Sequence, residues 1–191
     1  MRIAVSGTHG SGKSTLIEDF VAAHRDYVHE PEPYEWLEDV YGEAVAEEPG
    51  VDDFYRQLEV SVERLRDYGA GARVIAERSP LDFLAYMLAL NELGRAGRDC
   101  AAIASAVELV AAGIANIDLL VLLPLNGADR IEVPESEDLE LRDATNERLL
   151  DIVTADPYSL FVSGRPFIVE VHGTRQQRMR QLEDAVAELR S

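Results

Sequence analysis

Gly7-Thr8-His9-Gly10-Ser11-Gly12-Lys13-Ser14 follows a short strand-like run, Arg2-Ile3-Ala4-Val5-Ser6, and opens an amphipathic segment at residues 13–24. The stretch has the spacing G-x-x-x-x-G-K-[ST]. Glycines let the backbone curl until successive N–H groups point at one anion. A helix that starts there adds its N-terminal amides and the positive end of its dipole. In such a loop Lys13 reaches nucleotide phosphates, and the Ser14 hydroxyl holds a divalent cation. The expected phosphate-binding residues are therefore Gly7, His9, Gly10, Ser11, Gly12, Lys13, Ser14 and Thr15. His9 stands at a variable motif position and reads as a loop residue rather than a catalyst. Thr15 is an alternative hydroxyl, but Ser14 holds the motif position.

Outward from this loop, four more apolar segments recur at residues 27–30, 73–76, 118–123 and 167–171. Helical patterns lie between and after them, at residues 34–46, 51–68, 80–93, 99–116, 139–154 and 174–189. Strands alternating with helices predict an α/β fold: a five-stranded parallel sheet with helices on both faces. Residues 118–123 are apolar without alternation, as a central parallel strand should be. Phe54, Leu58, Val62 and Leu65 recur at helical spacing and predict one buried stripe. Pro80 suits the first turn of its helix. Residues 124–137 and 155–166 read as irregular.

The length, 191 residues, fits one domain. Acids outnumber bases 36 to 18, giving a formal net charge of -18, and Lys13 is the one lysine. Such a chain is a poor general binder of nucleic acid, where phosphate contacts dominate affinity. The lone Cys100 excludes an internal disulfide and a zinc ribbon. No apolar run reaches the length of a membrane span. The chain runs from Met1 straight into the first strand, so the expected location is the cytoplasm.

Two strand ends carry chemistry. Residues 27–30 lead into His29-Glu30-Pro31-Glu32-Pro33, then Trp36. A carboxylate at the C-terminal end of a parallel strand faces the ligand crevice and can accept a proton from an attacking hydroxyl. The competing reading is a solvated charged loop containing Glu30, Glu32, Glu35 and Glu38. The next strand ends in Glu77-Arg78-Ser79-Pro80-Leu81-Asp82. Glu77 would order the water around Mg²⁺ if this strand neighbours the first. Arg78 would face a transferring phosphoryl group. Ser79 and Asp82 have the spacing of a helix-capping pair. Gln57 and Arg64 lie two turns apart on one helical face, where they could read a polar ring or simply face solvent.

In this order, the phosphate loop, Pro31-Glu32-Pro33 with Trp36, Gln57 with Arg64, and Glu77-Arg78-Ser79 resemble the deoxynucleoside kinase family and related P-loop nucleoside and nucleotide kinases. The resemblance implies the P-loop NTPase fold with a helical lid, here near residues 125–154 of a single domain spanning 1–191. It implies ATP and Mg²⁺ as cofactors, Glu32 as general base, and Gln57 and Arg64 near the acceptor's base. Glu77 is then assigned to Mg²⁺ and Arg78 to the phosphoryl site. The family spaces both its Trp and its Asp one residue further on, so Trp36 and Asp82 are not carried over. Its lid arginines are closely spaced, whereas Arg142 and Arg148 sit about 240° apart around a helix. Arg142 is the one expected over the phosphates. The chain is also similar to short AAA-type ATPase and kinase proteins, which include nicotinamide-ribonucleotide-processing kinases.

The expected function is ATP- and Mg²⁺-dependent phosphoryl transfer to a hydroxyl of a nucleoside-like small molecule. The alternatives are a nucleotide-binding regulatory ATPase or GTPase without an acceptor, and a kinase for nucleoside monophosphates or specialised metabolites. A guanine-reading N-K-x-D motif is absent, because the one lysine is in the loop. Between Arg25 and Arg56 there is no lysine or arginine, while ten carboxylates lie from Glu30 to Asp53. If that tract borders the acceptor, its field favours a neutral or cationic alcohol over an anion. A homodimer is compatible with all of this.

Overall fold

Ile3, Ala4 and Val5 are fully buried because β1 (Arg2–Ser6) runs through the middle of the sheet. The computed structural model describes residues 1–44, 46, 48–69, 71–96, 100–125 and 138–190. β1 pairs in parallel with β3 (Val74–Glu77) on one side and with β4 (Leu119–Leu122) on the other. β2 (Val28–Glu30) extends the sheet beyond β3, and β5 (Phe167–Glu170) extends it beyond β4. The five strands stand in the order β2-β3-β1-β4-β5, all parallel, as the alternation of strands and helices predicts.

Successive strand residues feed opposite faces. Ile3, Val5, Leu119 and Val121 pack under α1 (Lys13–Ala23) and α7 (Arg175–Glu188), against Leu16, Ile17, Phe20, Leu182 and Val186. Ala4, Leu120 and Leu122 face the other layer, built from α3 (Val51–Asp67), α4 (Pro80–Glu92), α5 (Cys100–Ile114) and α6 (Leu139–Ala155). The predicted stripe on α3 is there: Phe54, Leu58, Val62 and Leu65 are all buried in this layer. Gly113 lets α5 come close, since a Cβ there would lie 2.7 Å from both Pro80 Cγ and Val62 Cγ2.

One helix differs from expectation. The segment expected at residues 34–46 begins as α2 (Pro33–Trp36), continues as a π-helical turn at Leu37–Tyr41, and stops at Gly42. Gly42 takes a φ of 67°, the left-handed conformation that ends helices and that glycine adopts without a Cβ penalty. Within the irregular 155–166 segment, Asp156 accepts hydrogen bonds from the Leu160 and Phe161 amides, which precede a short 3₁₀ turn at Val162–Gly164. Of the expected lid, α6 is described, and residues 126–137 lie outside the described residues. Among the described residues no helix is long and apolar enough to cross a membrane.

Candidate active site

The loop after β1 uses its glycines as the motif requires. Gly7, Gly10 and Gly12 have φ of 155°, 65° and 94°. At Gly7 a Cβ would stand 2.7 Å from the Leu123 carbonyl and from Ser11 Oγ, so only glycine fits. The Thr8 and Ser11 hydroxyls are buried without a hydrogen-bond partner. Unsatisfied donors in a buried backbone curl at a helix start suit an anion. Lys13 is 4% exposed, and its ammonium donates to the Thr8 carbonyl at 3.1 Å. Burial, then the nearby Arg78 charge, lowers its pKa to about 8 against the partial offset of Glu32, Asp82 and Glu77.

This depression has a measurable consequence. Below about pH 8 Lys13 is charged in the free protein and meets an anion directly. Above it, the free protein loses the proton that a bound phosphate favours, so binding requires proton uptake. Nucleotide affinity should therefore fall as pH rises above about 8, approaching roughly tenfold per pH unit. Titration calorimetry from pH 7 to 9.5 in buffers of differing ionisation enthalpy measures both effects. A flat affinity with no proton uptake would contradict this role.

The Ser14 hydroxyl, exposed at the start of α1, donates to Glu77 Oε1 at 2.8 Å. The β1–β3 register, which places Glu77 opposite Val5, brings that carboxylate beside the loop. His29 Nε2 lies 3.7 Å from Glu77 Oε2. Burial works to raise the Glu77 pKa, but His29, Ser14, Lys13 and Arg78 together hold it at about 2. A hydroxyl beside a permanently ionised carboxylate suits Mg²⁺, which needs only one or two protein oxygens when phosphates complete its shell. Among the described residues there is no cluster of three or more His, Cys, Asp and Glu that would hold a metal unaided.

Arg78 joins this loop to the neighbouring cavity. It is buried in a left-handed conformation, φ 69°, unusual for a residue other than glycine. Its Nε donates to Glu32 Oε2 at 2.6 Å and its Nη1 to the Gly7 carbonyl at 3.3 Å. Glu32 sits at the N-cap of α2, where Glu35 in turn accepts from the Glu32 amide at 3.2 Å.

The Glu32–Arg78 pair lines a cavity of about 830 Å³. Phe54 and Tyr86, whose rings stack at 4.5 Å between centroids, form an apolar wall there. Gln57 also faces it and is buried. At the mouth Arg95 donates to Asp138 at 2.6 Å and also to Glu140. His9 lines the same cavity, and its carbonyl accepts from Arg142 Nε at 2.8 Å. Arg148 instead pairs with Glu92 and Asp151. The expected neighbours Gln57 and Arg64 part company: Arg64 does not line the cavity but pairs with Glu30 and covers the Trp36 ring. Thr15 is exposed on α1.

Two residues that hold the site were missed. The sequence spacing predicts a cap alone for Asp82, and Ser79 Oγ does accept from the Leu81 amide at 3.2 Å while Asp82 Oδ2 accepts from the Ser79 amide at 2.8 Å. Its other oxygen accepts from the Gly7 amide at 2.8 Å, which ties α4 to the phosphate loop. Arg178 of α7, also buried, donates to the Ser11 carbonyl at 2.6 Å and to the Gly173 carbonyl at 3.1 Å. The capping spacing at least marked Asp82. No local signal marks Arg178, which meets Ser11 across 167 positions of chain.

A phosphate loop between β1 and α1 of a five-stranded parallel sheet is the architecture of the P-loop NTPase fold. A family model described as an AAA domain matches residues 2–181, and the chain belongs to that family. No curated protein matches the sequence. Among solved structures, deoxyadenosine kinase from M. mycoides with bound dATP superposes with a TM-score of 0.65 at 15% identity, covering 98% of this chain and 99% of that one. Thymidylate kinase from Candida albicans gives 0.66 at 16% identity, covering 99% and 92%. NadR protein in complex with NR gives 0.65 at 18% identity and covers 98% of this chain but 51% of NadR, so the chain spans about half of that protein.

Proposed function

We propose that the protein is a cytoplasmic, Mg²⁺-dependent phosphotransferase that moves the γ-phosphoryl group of ATP to a hydroxyl of a nucleoside-like small molecule. The observation that carries the proposal is the Glu32–Arg78 pair, set where the cavity meets the phosphate loop. Three proteins of like fold, two of them named as nucleoside or nucleotide kinases, support it. ATP and Mg²⁺ would supply the transferable group and the cation that offsets its charge. Ser14 and Glu77 would hold Mg²⁺.

Glu32 takes the proton from the acceptor hydroxyl as that oxygen bonds to phosphorus and the bond to the β-phosphate oxygen breaks. Arg78 orients the Glu32 carboxylate and, with Lys13, faces the charge on the transferring group. Arg142 approaches the loop from α6, the described part of the lid assigned to residues 125–154 of one catalytic domain, 1–191. Gln57 offers a donor and an acceptor to a polar ring edge, and Phe54 with Tyr86 offers it an apolar wall.

The charges indicate the acceptor class. Both arginines on the cavity wall, Arg78 and Arg95, are already paired with carboxylates, Glu32 and Asp138, and Glu48 adds negative charge. An anionic acceptor finds no uncommitted cation there among the described residues. Nucleosides should therefore exceed their own monophosphates in kcat/KM by about tenfold or more, a difference of about 1.4 kcal/mol. Matched nucleoside and monophosphate pairs, assayed with γ-labelled ATP, measure this. A better monophosphate would overturn the acceptor assignment.

A further inference from the structure

Glu30 is the buried carboxylate nearest Glu32 in sequence, and it has no part in the chemistry above. It is 4% exposed at the end of β2. Arg64 donates to both its oxygens, Nε to Oε1 at 3.1 Å and Nη2 to Oε2 at 3.4 Å. The Tyr68 hydroxyl donates to Oε2 as well. Arg64 and Tyr68 are one helical turn apart at the end of α3. The Arg64 guanidinium also lies 3.9 Å above the centre of the Trp36 ring. One arginine thus grips the chain on both sides of Glu32: at Glu30 just before it and at Trp36 at the end of α2. Between these points Pro31 and Pro33 fix φ, and the Glu32 backbone is held at φ -61°, ψ 142° by its capping contacts.

We propose that Arg64 is a positioning residue that, with Glu30, Tyr68 and Trp36, clamps residues 30–36 and so aims the Glu32 carboxylate at Arg78. It acts on the general base, not on the acceptor. The clamp accounts for the separation of Gln57 from Arg64 along α3: the first faces the cavity, and the second lies behind the strand exit. An arginine is required, because a lysine lacks both the flat face for Trp36 and the fork for Glu30. A small displacement of a reacting group is costly, so the effect should appear in turnover rather than in binding.

The test uses three variants of the full chain: Tyr68→Phe, Arg64→Lys, and the double variant Glu30→Gln/Arg64→Gln, which leaves no orphaned buried charge. Hydrogen exchange of the peptide covering residues 30–41 is read first, because it does not depend on which acceptor is used. Exchange there should accelerate roughly tenfold or more in both Arg64 variants, and less in Tyr68→Phe, with the α1 and α7 peptides unchanged. Turnover is read second. With the best acceptor, kcat should fall roughly ten- to hundredfold in the Arg64 variants while acceptor KM and ATP affinity stay within about threefold. Unchanged exchange at residues 30–41 overturns the clamp. So does faster exchange with an unchanged kcat, or a shift in acceptor KM or selectivity at constant kcat, which would mean direct contact with the acceptor. The inference rests on the phosphotransferase reading for its turnover arm alone. A wild-type protein that phosphorylates nothing would sink that reading, while the exchange arm would still decide the clamp.

Discussion

Glu32→Gln should lower phosphoryl transfer by roughly 10²–10⁴-fold while ATP affinity stays within about twofold. Glutamine has nearly the same shape and can still accept the hydrogen bond that Arg78 Nε donates at 2.6 Å. What it cannot do is take up a proton from the acceptor. Nucleotide binding should persist because other residues hold the loop: Asp82 binds the Gly7 amide, and Arg178 binds the Ser11 carbonyl. The check is kcat for transfer beside calorimetric ATP binding, with circular dichroism to show that the variant folds. Near wild-type turnover would remove Glu32 from the mechanism. Lost nucleotide binding with turnover chemistry intact at saturating ATP would assign Glu32 to the wrong half of the site.

Asp82→Ala is expected to be the most damaging single change to stability. The side chain is 1% exposed and accepts from the Gly7 amide, the Ser79 amide and the Ser79 hydroxyl at 2.8, 2.8 and 3.0 Å. It also lies 4.0 Å from the buried Arg78 guanidinium. Removal leaves three donors without their acceptor in a region closed to water and strips Arg78 of a neighbouring charge. Each orphaned buried donor costs about 1–3 kcal/mol, and breaking up a buried charged group about 3–5 kcal/mol. These overlap, so a loss of about 3–5 kcal/mol is expected, or about 10 °C in Tm for a chain of this size. ATP affinity should fall as well, because the Gly7 end of the loop is released. Differential scanning calorimetry with and without nucleotide measures both. A Tm within about 2 °C of wild type would show that the contacts to Asp82 contribute little.

The sheet was legible because both of its faces are buried. Asp118 to Leu123 could only be read as a central strand, and Leu119–Leu122 is one. The phosphate loop was legible because its requirements are local: glycines where φ is positive, and a lysine and a serine at the helix start. Glu77 and Arg78 could be placed beside that loop once β3 was taken as the neighbour of β1, which the pairing bears out. The periodicity of residues 34–46 predicts a longer helix than the one present, because a periodicity count does not register the left-handed φ of Gly42. Arg64 and Arg178 were beyond reach for a different reason. Whether an arginine on a helix faces ligand, solvent or a buried carboxylate is decided by its partners, and Glu30 and Ser11 lie 34 and 167 positions away. Helical spacing put Gln57 and Arg64 on one face, yet a cavity covers only part of that face, and the chain leaving β2 covers the rest.

The Lys13 pKa of about 8 and the paired state of Arg78 and Arg95 describe one electrostatic design. Lys13 stands in the phosphate loop, while the arginines that line the cavity are each held by a carboxylate. On the proposed reading, such a division suits one anion at the loop and an uncharged alcohol in the cavity.

The most direct measurement is the fate of the label when the purified protein, Mg²⁺ and γ-labelled ATP are incubated with a mixture of nucleosides and resolved by chromatography. The expected result is label in a phosphorylated nucleoside, formed at a rate that depends on nucleoside concentration and lost in Glu32→Gln. Label appearing solely as inorganic phosphate, at a rate indifferent to every nucleoside added, would contradict the assignment of the cavity as an acceptor site.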